Sequence, residues 1–535
     1  MALSLTAEQK KLLQILKIDE QYIIPEYQRP YSWEYDHCLQ LYKDLEEAYQ
    51  AQEDYFIGNI IIAKSESNEY ELDVVDGQQR LTTLFLMVKV LSLFTEHKVY
   101  KSDLNAIIGS ISRITGEYEY RIKTTVFESD DATDFKNVLE YDKNKFENIF
   151  NNCKNKNNEI EEKKCSTRFE KNIMFFYSWF NYLYKKEQNL DAFIRFFLEK
   201  VYLLPIELRG KTKDDANEKA LIIFETINDR GKDLEDADIF KAKLYKRAKK
   251  VKEEKNFIDL WKEFKSNCED LKIDIDDTFR YYTHIIRGER GDTSNEINLR
   301  KFFITKDYSP FNLKKYKEVM NDLFKIISIL EYINQEKQHE TKLAKWLQLI
   351  EAYSNQYHKN SLVVYLYING IENNQNICEF LEKIIRYSYY HGSTTKIKSE
   401  IYNIIKKISK NEKIDNYYQK DIIKEYFNYL GNLKKGYALL AVYSDKDNAY
   451  ISHYIDKLVS LKDERLLQWH KGEIEDFLNS LGNFIVSQKP KKNFSLERKL
   501  EYYDLNINLD YENFIKRDSD MKEKLVKFFK GNMNE

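Results

Sequence analysis

A short polar turn from Asp76 to Arg80, Asp-Gly-Gln-Gln-Arg, stands between a strand-like apolar run and a helix-like apolar run. A glycine between polar side chains at such a junction presents backbone N–H groups, a helix N-terminus and an arginine in one place, which suits a bound phosphate. The turn therefore predicts a nucleotide site. Taken alone, the pentapeptide is equally typical of an ordinary tight turn in which Gly77 has a positive φ.

Two further segments favour the nucleotide site. Ile24 to Trp33 places the pair Gln28 and Arg29 between two prolines and beside three aromatic residues, so that a rigid loop holds an arginine for bidentate phosphate contact or for base stacking. Phe224 to Gly231 contains a polar cluster with Asn228 and Arg230 at the end of a helical pattern. The plainer alternatives are an N-terminal packing arm for the first segment and helix capping for the second.

The elements around these segments alternate between strand and helix patterns up to about residue 245, which predicts an α+β unit. An Asn- and Lys-rich stretch at 140–165 loses apolar periodicity and predicts a mobile surface loop. The strand-like segments are Tyr22 to Ile24, Tyr55 to Ala63, Leu72 to Val75 and Val201 to Leu208, and the helical ones are Cys38 to Tyr49, Leu81 to Phe94 and Ala216 to Ile227.

The remainder of the chain divides into amphipathic helices at 246–435 and a small separate domain at 436–535. Only 15 glycines and five prolines occur in 535 residues, which favours long helices. The predicted fold class is α+β and predominantly α-helical.

Composition restricts the function classes. A net charge of -3, from 85 basic and 88 acidic residues, means that any nucleic-acid surface must be local. Five scattered cysteines without a CxxC pair argue against a disulfide framework and a cysteine-based zinc site, and indicate a reducing cytoplasm. The start of the chain lacks a secretory pattern, and Lys89 interrupts the most apolar window, so no membrane association is expected. No GxxxxGK[ST] motif occurs, which argues against a standard P-loop.

The three segments together carry a resemblance. Tyr27 to Trp33 (YQRPYSW), Asp76 to Leu84 (DGQQRLTTL) and Phe224 to Gly231 (FETINDRG) resemble the N-terminal domain of the GmrS and GmrSD family of bacterial type IV restriction and anti-phage proteins. The resemblance covers residues 5–245. It implies a ParB/sulfiredoxin-like fold that binds and hydrolyses a nucleoside triphosphate, often GTP, with Mg²⁺.

Roles follow for the matching residues. Arg29 and Arg80 would neutralise phosphate charge, Asp76 would hold a magnesium-bound water, and Gln78 or Gln79 would orient the attacking water. The residues expected to bind the nucleotide are Gln28, Arg29, Gly77, Asn228 and Arg230.

The C-terminal domain resembles, more weakly, the HNH-like nuclease domain of fused GmrSD proteins. On that resemblance His453 is the general base, Asn483 orients that histidine or its loop, and Asn493 ligates a Mg²⁺ or Mn²⁺ ion. Ser452 replaces the family's acidic residue, and the stretch between Asn483 and Asn493 is short, which favours a decayed or structural domain as the alternative.

A basic aromatic stretch of this domain predicts contacts with double-stranded DNA, possibly modified, although a solvated surface has the same composition. Its residues are Lys489, Lys491, Lys492, Arg498 and Lys499. The expected function is NTP-dependent restriction of invading DNA. The alternative is a nucleotide-sensing or DNA-binding defence subunit that acts through a partner effector. A homo-oligomer or a companion defence subunit is a further expected partner.

Overall fold

The structure is a computed structural model of two compact units, residues 1–258 and 259–535. It describes residues 5–112, 116–126, 130–155, 160–213, 215–217, 219–220, 223, 236–295, 298–353, 356–391, 394–428, 431–450, 453–459, 477–491, 494–505 and 511–531.

The first unit is built on a seven-stranded mixed sheet. Along the sheet the order is β1-β9-β4-β5-β3-β8, with β2 also paired to β9, and β6 and β7 form a separate pair. The strands are β1 (Leu5–Ala7), β2 (Lys10–Lys11), β3 (Gln21–Ile24), β4 (Tyr55–Ser65), β5 (Asn68–Asp76), β6 (Gly109–Ile111), β7 (Tyr118–Tyr120), β8 (Ile122–Thr124) and β9 (Val201–Gly210).

Helices pack on this sheet and enclose the main core of the unit. The described helices are α1 (Leu12–Leu16), α2 (Tyr35–Ala51), α3 (Gln78–Leu91), α4 (Lys98–Ile108), α5 (Asp131–Leu139), α6 (Lys143–Cys153), α7 (Arg168–Glu187), α8 (Asp191–Glu199) and α9 (Asp236–Lys250). α3 is buried on almost every side, which explains its continuous apolar sequence. Val74 and Leu72 of β5 contribute to this core, and Val75 joins a smaller cluster on the other face of the sheet. A central strand buried on both faces reads as an uninterrupted apolar run.

The second unit is mostly helical. Its helices, beginning with the one that contains residue 259, are α10 (Glu254–Asp270), α11 (Ile275–Arg290), α12 (Leu299–Thr305), α13 (Pro310–Leu313), α14 (Tyr316–Glu336), α15 (Lys342–Glu351), α16 (Tyr357–Asn369), α17 (Asn374–His391), α18 (Thr394–Ser409), α19 (Lys434–Tyr443), α20 (Leu496–Tyr502) and α21 (Tyr511–Lys530). Two strands, β10 (Tyr454–Lys457) and β11 (Phe484–Ser487), form an antiparallel pair.

The α+β, mostly helical fold class is confirmed, as are the predicted strands of the first unit. The ParB-like and HNH-like assignments, and the separation of 246–435 from 436–535, stay predictions. None of the described helices has the length and apolar character needed to cross a membrane.

The structure differs from the loop predicted at 140–165. Lys143–Cys153 is helical, and Asp142 caps it by accepting a hydrogen bond from the Lys145 backbone N–H. Phe146, Phe150 and Cys153 are buried. Their spacing of four and three residues forms one apolar stripe, which the surrounding asparagines and lysines obscured in the sequence.

Candidate nucleotide site

The turn after β5 has the backbone geometry expected of a strand-to-helix junction. Gly77 has a φ of 83° and immediately precedes α3, and the Leu81 N–H donates to its carbonyl at 2.9 Å. A Cβ at Gly77 would lie 2.7 Å from Cγ2 of buried Ile60. Both the positive φ and the close approach therefore require glycine. The positive φ is the one that the ordinary-turn alternative requires, and α3 begins at Gln78, three residues before the predicted helical run from Leu81.

Arg80 extends from the first turn of α3 to the backbone of β4. Its Nη1 donates to the Asn59 carbonyl at 2.6 Å, and a Cβ at Gly58 would lie 3.0 Å from that same nitrogen. Gly58 has a φ of 131° at a shift in the register between β4 and β9. The sequence analysis missed Gly58 and Asn59. The available signal was a glycine inside a strand pattern, which marks a bulge or a close approach.

Gln79 ties the turn to the loop that follows β3. Its Oε1 accepts hydrogen bonds from the N–H groups of Ser32 at 2.7 Å and Trp33 at 3.2 Å, and its Nε2 donates to the Pro30 carbonyl at 3.0 Å. Gln78 Nε2 donates to the Arg29 carbonyl at 3.2 Å. The structure thus brings two of the three predicted segments together. Both glutamine side chains hold the loop, which is a different use from the predicted orientation of water.

Gln28 attaches the beginning of this loop to β5, because its Nε2 donates to the Val75 carbonyl at 2.9 Å. Four residues that the sequence analysis missed complete the support. Asp131 accepts a hydrogen bond from the Tyr31 N–H at 2.6 Å, and Arg168 donates to the Tyr31 carbonyl at 2.9 Å. Asn172 donates to the Trp33 carbonyl at 2.7 Å, and Lys241 donates to the Gln28 carbonyl at 3.2 Å. They lie 100 or more residues away in sequence, so no local pattern could identify them.

Asp76 interacts electrostatically with the two arginines of the turn and the loop. Burial raises the pKa of Asp76, while a hydrogen bond from the Gly77 backbone and the charges of Arg80 and Arg29 oppose that rise. Among the described residues, no hydrogen bond is formed by the Arg29 guanidinium, whereas the loop backbone around it is held at several points. Arg29 is therefore positioned by its backbone and leaves its side chain available to a ligand.

Two cavities adjoin the loop. A small one of about 10 Å³ is lined by Arg29, Gln78 and Asp131 among others, and has room for little more than a water molecule. A larger one of about 200 Å³ is bordered by Pro25, Glu26 and Tyr27 and contains lysine side chains. These are Lys123, Lys213, Lys246 and Lys249. Carboxylates line the larger cavity as well, and Lys213 forms ion pairs with Glu71 at 3.0 Å and Asp73 at 2.9 Å.

The remaining predicted nucleotide-binding residues, Asn228 and Arg230, fall within 224–235, outside the described residues.

The C-terminal candidates do not form a comparable cluster. In the β10–β11 pair, Tyr454 faces Ser487 and Lys457 faces Phe484. His453 therefore flanks one end of the pair and Asn483 the other, roughly 16 Å apart along extended strands. Asn483 is fully buried and fixes the loop instead, since its side chain bonds both backbone groups of Val459 at 2.8 and 3.1 Å. Of the two predicted roles for Asn483, the structure places it to orient the loop.

His453 packs against the Tyr443 ring, with 6.4 Å between the centroids. Burial lowers its pKa, opposed by the charge of Glu351, so that the imidazole is neutral near pH 7. The described part of the chain shows no group of three metal-binding side chains that includes His453. Asn493, the predicted metal ligand, and Lys492 lie outside the described residues.

The basic stretch of the C-terminal region is partly neutralised. Lys489 is paired with Asp504 at 2.5 Å, and Lys499 with Asp456 at 3.5 Å. Lys491 and Arg498 are exposed. Fewer charges than predicted are thus available to DNA phosphates.

A comparison with protein families matches residues 10–245 to the N-terminal domain of the GmrSD restriction endonucleases. Residues 10–245 of this chain are thus similar to the N-terminal domain of that family. The match confirms the resemblance carried by the YQRPYSW and DGQQR segments, and it ends close to the predicted boundary at residue 245. The similarity to GmrSD proteins indicates a restriction or defence role.

An uncharacterized protein of the archaeon Methanocaldococcus jannaschii is 23% identical to the chain, and the alignment covers 79% of each protein. The likeness to this relative therefore extends beyond the GmrSD-like domain.

Proposed function

We propose that the turn Asp76–Arg80 binds and hydrolyses a nucleoside triphosphate, with GTP favoured, and that this turnover controls restriction of invading, possibly modified, DNA. The observation that carries the proposal is the convergence of Arg29, Arg80 and Asp76 at the N-terminus of α3. Arginine forks and helix N-terminal amides both favour phosphate oxygens.

The loop geometry supports distinct roles for the residues. Arg29 supplies the charge that contacts phosphate, because its guanidinium is not used in holding the loop. Gln79 and Gln78 are positioning residues, since their amides hold the loop backbone. Gln28 attaches the same loop to β5, and Arg80 is held against β4.

The arrangement offers a carboxylate that could bind Mg²⁺. Mg²⁺ in nucleotide sites is commonly held by one or two carboxylates together with substrate phosphates. Asp76 is the side chain that would hold it, and the ion would supply charge stabilisation at the phosphates. Arg29 and Arg80 keep Asp76 beside positive charge when no ion is bound.

Calorimetric titration of the full chain with ATP, GTP, CTP and UTP in Mg²⁺ tests the proposal. One nucleotide is expected to bind, and Arg80→Ala is expected to abolish its hydrolysis. Arg29→Ala should lower the rate about 100-fold or more, the usual cost of removing one donor to transition-state charge. The matched control is Arg195→Ala, since Arg195 is exposed on α8 and forms an ion pair with Glu199 on the same helix. Unchanged binding and turnover in both site variants would contradict the proposal.

A second candidate function follows from the C-terminal geometry. The separation of His453 from Asn483 favours a defence subunit that senses nucleotide and acts through a partner effector, with a C-terminal region that binds DNA without cutting it. Plasmid nicking with Mg²⁺ or Mn²⁺ distinguishes the two. Nicking that is lost in His453→Ala supports an HNH-type nuclease in this chain, and an absence of nicking by the wild-type protein supports the second candidate.

A further inference from the structure

Three side chains with metal-binding atoms converge at the beginning of α7. Cys153 Sγ, Cys165 Sγ and a carboxylate oxygen of Glu170 all lie within 4.8 Å of one another. Cys153 is the last residue of α6, Cys165 follows the turn Glu162–Lys164, and Glu170 lies in the first turn of α7. The absence of a CxxC pair argued against a zinc site, but folding brings these two distant cysteines together.

We propose that Cys153, Cys165 and Glu170 bind a zinc ion. Two thiolates and one carboxylate suit zinc and do not suit Mg²⁺ or Ca²⁺, which prefer oxygen ligands. A tetrahedral zinc ion spaces its ligand atoms about 3.5 to 3.8 Å apart, so a contraction of up to about 1.3 Å completes the site. Binding releases the two thiol protons and leaves a fourth position for water.

The surroundings orient the carboxylate of this ligand set, while burial raises the pKa of both thiols, to about 12 for Cys165. Glu170 accepts hydrogen bonds from the Tyr141 hydroxyl at 3.1 Å and from the Ser166 N–H at 3.0 Å. A carboxylate has about four acceptor positions, so these bonds orient Glu170 and leave room for a metal. Lys164 and Lys171 place positive charge near the two thiols, which offsets the net negative charge of a site with three anionic ligands.

The backbone already closes this segment. The Glu161 N–H donates to the Cys153 carbonyl at 2.8 Å, and Cys153 Sγ contacts the Lys164 carbonyl at 3.4 Å. A bound ion would join the end of α6 to the start of α7. Arg168 and Asn172 of α7 hold Tyr31 and Trp33, so the ion would stabilise the helix that supports the loop carrying Arg29.

The test uses the full chain, reduced and freed of metal with a chelator, and then titrated with Co²⁺ alone. One Co²⁺ per chain with a thiolate-to-cobalt charge-transfer band is expected, and Zn²⁺ should displace it. Cys153→Ser and Cys165→Ser should remove the band, and Glu170→Gln should weaken binding about 10-fold or more. Cys268→Ser is the matched control, because Cys268 is buried near Thr278.

A second measurement needs no variant. Zn²⁺ should slow alkylation of the partly exposed Cys165, mapped by mass spectrometry, and leave the buried Cys38, Cys268 and Cys378 unchanged. It should also raise the melting temperature by roughly 2 to 4 °C at saturating metal. A missing charge-transfer band, a band that persists in both serine variants, or isolation of the two cysteines as a disulfide that binds no metal would overturn the proposal.

Discussion

In each unit of this chain a buried amide side chain holds a loop through three hydrogen bonds, but the two loops differ in the charged groups that lie beside them. Gln79 makes three hydrogen bonds to the backbone of Pro30, Ser32 and Trp33, and Asn483 makes three to the backbone of Val459 and Leu478. The first set places Arg29 near Asp76 and Arg80. The second fixes a loop at the end of the strand pair away from His453.

The difference shows that a buried network of polar side chains is evidence of an ordered loop, and is not by itself evidence of a catalytic or binding site. Both amides satisfy backbone groups that would otherwise be costly to bury. A site requires in addition that charged groups with unused bonding capacity meet beside the network. Arg29 and Asp76 meet that condition in the first unit. Beside Asn483 the charged residues are Arg517 and Asp518, but Arg517 donates to the carbonyls of Gly482 and Phe484, and Asp518 accepts from the Gly482 N–H and pairs with Lys522.

The substitution with the largest expected effect is Gln79→Ala. It removes three bonds to buried or half-buried backbone groups, so we expect the free energy of unfolding to fall by about 3 to 5 kcal/mol. Nucleotide hydrolysis should fall even in the molecules that remain folded, because the loop that carries Arg29 loses its three bonds to Gln79. Urea unfolding together with hydrogen exchange at residues 28–34 measures both effects.

The matched control is Gln40→Ala, since Gln40 is exposed on α2 and bonds only Asp44. Wild-type nucleotide turnover in folded Gln79→Ala would show that the loop does not need the hydrogen bonds of Gln79.

Gly77→Ala should cost somewhat less, roughly 2 to 4 kcal/mol. The positive φ adds about 1 to 2 kcal/mol of strain, and the new Cβ would collide with Ile60. Gly116→Ala provides the control, because Gly116 has a φ of 74° and a Cβ there would meet no atom within 4 Å. Thermal unfolding of the two variants separates strain from collision. Equal losses would mean that the approach to Ile60 is relieved at no cost.

Much of the first unit could be predicted from the sequence, because its signals are local. The apolar run of Leu72 to Val75, the glycine at 77 and the apolar run after Arg80 specify a strand, a turn and a helix without distant partners. Asp131, Arg168 and Lys241 could not be predicted, because only the fold brings them to the loop. The helix Lys143–Cys153 was missed since three buried residues were outnumbered by asparagine and lysine.

For the C-terminal candidates, the sequence did not show which residues lie close together. A short motif fixes which residue types are present, but the register of β10 and β11 decides which of them meet. His453 and Asn483 flank neighbouring strands but lie at opposite ends of the pair. Their spacing along the chain could not predict this separation.

Asn483→Ala is the corresponding substitution in the second unit. We expect a loss of about 2 to 3 kcal/mol in the free energy of unfolding, because three buried hydrogen bonds disappear. Nucleotide turnover by the first unit should not change. Exposed Asn479, which bonds Lys434 at 2.8 Å, is the control, and its alanine variant should stay within about 0.5 kcal/mol of wild type. A nucleotide defect in Asn483→Ala would show that Asn483 also serves the nucleotide site.

The smallest expected effect is a gain in stability on changing Asp76 to asparagine. Burial raises the pKa of Asp76 in the folded protein, so its stabilising contribution is present below the pKa of the unfolded chain and is lost as pH rises through the folded pKa. Ionised Asp76 therefore lowers stability at pH 7, and asparagine removes that cost. Urea unfolding in EDTA should show an advantage for Asp76→Asn at pH 7 that shrinks towards pH 4, while Mg²⁺-dependent turnover is lost. An advantage that grows on acidification would mean that Arg29 and Arg80 outweigh burial at this carboxylate, and the turn would then be a satisfied ion cluster with no need of a ligand.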